Sequence, residues 1–121
     1  MNASTDARLD SKSGICFKKQ GSPYYTIDLG STIDLYGIQM AGHATIEAWV
    51  TRYDVQLLDE DHNVVLTLRG LKANVNNSAI VQYDFLHVHK EPHYLARYVR
   101  LLNFETDSAD KICFRAATVS W

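Results

Sequence analysis

The sequence predicts an all-β fold. Three observations predict it: apolar residues recur with a period of two, turn residues separate short apolar runs, and no segment offers a convincing amphipathic helix. Seven or so short strands of this kind fit an antiparallel sandwich or barrel. At 121 residues the chain is long enough for one domain, 1–121, and too short for two ordinary ones. Folding at this size removes roughly two thirds of the unfolded chain's surface from water, so a sizeable core is possible. With 46% apolar and 21% charged residues, the chain is neither disordered nor fibrous.

The elements follow in order. Tyr24 to Leu29 is bounded by Pro23 and Gly30 and reads as a strand. Ile33 to Met40 is the next, and Gly42 ends it. From Trp49 to Leu58, Trp49, Thr51, Tyr53, Val55 and Leu57 alternate against Arg52, Asp54 and Gln56. The polar turn Asp59-Glu60-Asp61-His62-Asn63 then leads into Val64 to Leu68, which makes a hairpin with a longer loop. One helical turn is expected near Leu71 to Asn77. Ala79 to Phe85, Ala96 to Phe104 and Ile112 to Val119 complete the strands. Arg97, Arg100 and Arg115 stand on such segments. An arginine there faces solvent or pairs with a carboxylate such as Asp28, so at least one of the three reads as structural rather than as a ligand contact.

Composition and motifs exclude several functions. Twelve Lys+Arg against fourteen Asp+Glu give a net charge of −2, which argues against a general electrostatic grip on nucleic acid. No apolar run approaches the ~20 residues that cross a bilayer, and Met1 to Asp6 has no basic head or apolar stretch of a signal peptide. There is no nucleophile elbow, HExxH, P-loop or glycine-rich dinucleotide fingerprint, so no catalytic residue is expected. His87 and His89 on an extended segment, with Glu91 and His93 nearby, could hold a transition metal, but no motif completes the set and a solvated edge is the plainer reading. The sequons Asn2-Ala3-Ser4 and Asn76-Asn77-Ser78 are short enough to occur by chance.

Three connections carry unusual chemistry. Ser13 to Pro23 holds Ile15, Cys16 and Phe17 before Lys18 and Lys19. Ala41 to Ala48 holds His43 and Ile46. Gly70 to Ser78 holds Leu71, Lys72 and Val75. Any one apolar loop residue is most simply a cap on the core. Three such loops together suit an exposed contact surface.

The residues also carry a family pattern. Ala7-Arg8-Leu9-Asp10-Ser11, Gly14-Ile15-Cys16-Phe17 and Tyr25-Thr26-Ile27-Asp28-Leu29-Gly30 come first. Tyr36-Gly37-Ile38-Gln39, Trp49 through Gln56 and Leu71-Lys72-Ala73-Asn74 follow. Ala96 through Leu101 and Ile112-Cys113-Phe114-Arg115 complete the series. In this order they cover nearly the whole chain, which resembles the discoidin domain, also called the coagulation factor 5/8 type C domain. The resemblance implies a jelly-roll β-sandwich of about eight antiparallel strands, galactose-binding-like. The family's usual N-terminal segment, opening with a cysteine, and its closing Gly-Cys are missing here, so no disulfide joins the termini.

It further implies a non-enzymatic adhesion or recognition module that is extracellular or at the cell surface. The ligand is a glycan or a protein such as collagen, with anionic phospholipid ranked lower, captured by the same three loops. On that expectation Phe17 and Ile46 supply apolar contacts, Lys18, Lys19 and Lys72 meet anions, and His43 and Asn74 hydrogen-bond. Spacing leaves the two cysteines open between a bond and two free thiols; the resemblance implies a Cys16–Cys113 disulfide. It also admits a calcium ion. An exposed sheet edge would invite a homodimer. An intracellular protein-interaction scaffold and a carbohydrate-targeting accessory domain of a larger enzyme are the alternatives.

Overall fold

A computed structural model describes residues 14–85, 94–107 and 110–120. Seven strands run in chain order: β1 (Ile15–Lys18), β2 (Tyr24–Ala41), β3 (Val50–Leu58), β4 (Val64–Lys72), β5 (Val81–Asp84), β6 (Tyr94–Thr106) and β7 (Lys111–Ser120). All pairings are antiparallel, in the order β1-β7-β2-β6-β3-β4 with β5 also on β2. The strand β2 folds this sheet on itself. Its first half, from Tyr24 to Leu35, pairs with β6. Its second half lies between β7 and β5. One layer is therefore β4-β3-β6-β2 and the other β5-β2-β7-β1.

The layers share one core. Tyr25, Ile38, Tyr53, Val55, Leu57, Val99, Leu101 and Phe114 are all buried in it. Phe104 stacks on Phe114 with ring centroids 5.4 Å apart, and Tyr25 meets Phe114 edge-on at 5.4 Å. The period of two read in the sequence is the alternation of these inward side chains with outward polar ones.

Three expectations need correction. The two runs Tyr24–Leu29 and Ile33–Met40 are one 18-residue strand, interrupted by a register shift between Asp28 and Ile33. Gly30 sits in that irregularity at φ 83, a backbone conformation favouring glycine, and its N–H donates to the Asp28 carboxylate at 2.8 Å. The stretch read as the first loop begins with a strand, because Ile15 to Lys18 pairs with β7. No helical turn forms near Leu71: this side chain is buried at the end of β4, opposite Tyr53.

Register gathers the functional connections at one end. Met40 lies opposite Val81, Ala41 opposite Arg115, Val50 opposite Thr106, Arg52 opposite Lys72, and Lys18 opposite Lys111. Residues 19–23, 42–49, 73–80 and the β6–β7 turn therefore share one pole. The β2 irregularity and the β3–β4 turn occupy the other. The strand β4, which ends the sheet path, carries two register shifts against β3, a feature that discourages edge-to-edge pairing.

Candidate functional site

The pole is built from backbone outward. Loop 42–49 closes on itself through His43 N to Ala48 O at 2.9 Å. The buried His43 ring accepts from the N–H groups of Thr45 and Ile46 at Nδ1, both at 3.2 Å, so the neutral ring carries its proton on Nε2. Burial, with Arg115 and Lys111 nearby, holds its pKa below the ordinary value for histidine. Loop 73–80 is anchored by Asn74, whose N–H reaches Val50 O at 2.9 Å and whose Nδ2 donates to Ala79 O at 2.6 Å. Asn76 Oδ1 accepts from the N–H groups of Ser78 and Ala79 at 3.1 and 2.8 Å.

The two loops are locked together. Asn77 Nδ2 donates to the carbonyls of His43 and Ile46 at 3.2 and 3.4 Å. Arg115, reaching up from β7, donates through Nε to Gly42 O at 2.7 Å and through Nη2 to Asn77 O at 3.2 Å. The loops pass so closely at Gly42 that a Cβ there would lie 2.5 Å from Asn77 Cα.

Beside this lock lies an open cleft of about 700 Å³, lined by Trp49, Arg52, Lys72, Asn74, Glu105 and Asp107, among others. Asp107 fixes its wall: Oδ1 accepts from Trp49 N at 2.9 Å. Arg52 and Glu105 pair loosely at 3.7 Å, both half exposed, so their hydrogen-bonding groups remain available. Asn74 Oδ1 is buried and has no hydrogen-bond partner among the described residues. An aromatic side chain, two cations and two carboxylates thus line one cleft, a combination suited to a polar ligand with an apolar flank.

The seven residues expected to bind are divided by the fold. Lys72 and Asn74 line this cleft. Lys18 and Lys19 line a second, smaller cleft of about 410 Å³ with Gln20 and Asp110. Ile46 is a 40% exposed loop tip. His43 is buried and engaged in holding its loop. Phe17 is not a loop tip: it belongs to β1 and packs edge-on against Phe104 and Phe114 at 5.7 and 6.0 Å, because alternation along β1 turns it toward the core. Cys16 and Cys113 are bonded, and they face each other directly across the β1–β7 ladder.

Sequence reasoning missed Trp49 and Arg115. In the sequence Trp49 alternates in step with Tyr53, Val55 and Leu57, but the register shifts at the start of β3 break that step and bury Val50. The available signal was an aromatic residue at a strand's first position, next to a polar loop. Arg115 belongs to β7, and only its length, which strand pattern does not report, lets it reach both loops.

Among the described residues, no group of three or more His, Cys, Asp or Glu side chains could hold a metal ion. His87, His89, Glu91 and His93 lie outside the described residues, as does the Asn2 sequon.

No family sequence model matches the chain, and no characterised protein matches it in sequence. Solved structures do match its fold. Discoidin II from Dictyostelium discoideum is 18% identical and superposes with a TM-score of 0.66, over 96% of this chain and 44% of that one. The fold is that of the discoidin domains. A fucose-binding module of Streptococcus pneumoniae, SpX-3, shares it at 14% identity and TM-score 0.68, covering 95% of this chain and 82% of the module. So does the lectin domain of lectinolysin, solved with Lewis B antigen, at 15% identity and TM-score 0.62, covering 88% and 70%. This chain spans less than half the length of discoidin II.

Proposed function

We propose that this discoidin fold is a non-catalytic glycan-binding module acting outside the cell, and that the Trp49 cleft is its sugar site. The observation that carries the reading is Trp49 beside Arg52, Lys72 and Asp107 in one open cleft at the loop pole. A sugar offers an apolar C–H face for the indole and hydroxyls for the charged groups. Two neighbours of the same fold, one a fucose-binding module and one solved with Lewis B antigen, support a sugar as ligand. The Cys16–Cys113 bond supports an oxidising compartment.

A glycan array followed by calorimetric titration tests this, starting with fucosylated oligosaccharides and including collagen and anionic vesicles as competitors. Trp49→Ala is expected to weaken sugar binding at least about tenfold, the scale of a lost aromatic contact. The same variant should keep its circular dichroism, since Trp49 lies outside the core cluster. Undiminished binding by that variant moves the site elsewhere. Capture of collagen or vesicles with no sugar retained removes the glycan reading.

A further inference from the structure

The second cleft has an electrostatic feature that the first lacks. Lys18 and Lys111 are directly opposite partners in the β1–β7 ladder. Side chains so paired stand on the same face about 5 Å apart at Cβ, and like charges there repel. Lys19 adjoins them, its N–H bonded to Asp110 O at 3.1 Å and its Nζ 3.4 Å from Thr106 Oγ1. Lys18 and Lys19 line a shallow polar cleft with Gln20 and Asp110, and the register sets Lys111 beside Lys18 at its edge. In a chain of net charge −2 this is a segregated cationic patch.

The patch adjoins the sugar cleft. Asp107 lines one cleft and Asp110 the other, so the two flank the same β6–β7 turn. Thr106, at the end of β6, is opposite Val50 on one side and meets Lys19 on the other. In the Trp49 cleft the cations Arg52 and Lys72 are matched by Glu105 and Asp107. In the lysine cleft Lys18 and Lys19, with Lys111 beside them, stand against one carboxylate, Asp110, among the described residues. The pole therefore has a charge-balanced half and a cationic half side by side.

We infer that the ligand is an acidic glycan, one sugar unit stacking in the Trp49 cleft while a sulfate or carboxylate on a neighbouring unit lies between Lys18, Lys19 and Lys111. An anion there relieves the Lys18–Lys111 repulsion and gains charge-assisted hydrogen bonds. This inference rests on the glycan reading and adds the chemical class of the sugar.

The test compares a sulfated oligosaccharide with its desulfated counterpart on the wild-type chain and on Lys18→Gln/Lys111→Gln. The wild type is expected to prefer the sulfated form about tenfold, with the preference shrinking as salt rises. The double variant should lose that preference and keep its affinity for the desulfated form. Inorganic sulfate alone should raise the melting temperature of the wild type and not of the variant. Without sulfate the variant should melt close to the wild type, since the lost Lys18–Lys111 repulsion offsets the lost attraction to Asp110. Equal affinity of the wild type for both forms overturns the acidic class and leaves the sugar cleft standing. A preference that survives in the variant overturns the lysine site. Failure to hold either sugar, with Trp49→Ala also silent, overturns the glycan reading itself.

Discussion

The two ends of the sandwich use similar residues to opposite effect. At the end away from the loops, the charges satisfy one another. Arg97 donates to Asp28 at 2.7 Å and to Glu60 at 3.1 Å, and Thr32 donates to Glu60 at 3.0 Å. That hydrogen bond from Arg97 is the main reason the Asp28 carboxyl lies below the ordinary carboxylate range. Tyr98 stacks on His62 at 4.2 Å and carries the Arg97 guanidinium 5.2 Å over its ring. At the loop end, Arg115, Asn77 and Asn74 serve mainly backbone carbonyls, and the His43 ring serves backbone N–H groups. Burying these groups fixes the loops and leaves Trp49, Lys72 and the lysine pair facing outward. A polar cluster that binds itself holds a fold together; a polar cluster standing on a fixed backbone can bind something else.

The largest expected effect comes from cutting the tie beneath the loop end. Cys16→Ser with Cys113→Ser opens a bond between residues 97 apart. The chain-entropy estimate for such a loop is about 4–5 kcal/mol, measurable by urea titration. A loss under about 1 kcal/mol would mean that the β1–β7 ladder and Phe17 hold this edge unaided.

Arg115→Ala should come next, at about 2–3 kcal/mol, because it leaves two loop carbonyls without their charged donor. The sharper readout is sugar binding, which should fall as loops 42–49 and 73–80 separate. The matching change at the other end, Arg97→Ala, should cost clearly less than Arg115→Ala, since its partners Asp28 and Glu60 are half exposed. It should leave sugar binding intact. Equal losses from the two variants would erase the difference between the ends.

The acid response separates the ends further, with a smaller effect. His43 has a folded-state pKa below its ordinary 6.5, so the unfolded chain binds the proton more readily. Its contribution is complete above pH about 6.5 and is lost as pH falls below that value through the lower folded-state pKa, because protonated Nδ1 can no longer accept from Thr45 and Ile46. Amide exchange of residues 43–48 should quicken as pH drops from neutral to 5.5, after correction for intrinsic rates. His43→Gln should flatten that pH dependence. The Asp28 pair, depressed from 3.8, keeps its contribution until far more acid conditions. Loss of protection at the Arg97 end first would reverse the assignment.

Some of this was legible in the sequence. The strands from Tyr24, Val50, Val64, Ala96 and Ile112 were visible because alternation registers burial on one face. Asp28 was named as a partner for a strand arginine, and Arg97 is that arginine. Phe17, His43 and Asn74 were legible as unusual loop residues but not in their roles. The position of Phe17 depends on β1 pairing with β7. The burial of His43 and Asn74 depends on two loops, far apart in sequence, covering each other. Local pattern cannot report either contact.

Sequence by itself determined the all-β class and which three connections are chemically unusual, because both follow from local composition and period. Tertiary structure alone decided that those connections meet at one pole and that Arg115 locks two of them. It alone set Trp49 in the wall of the cleft and stood Lys18 opposite Lys111. Each of these is a matter of register between distant strands, and a one-residue slip would move every side chain concerned to the other face.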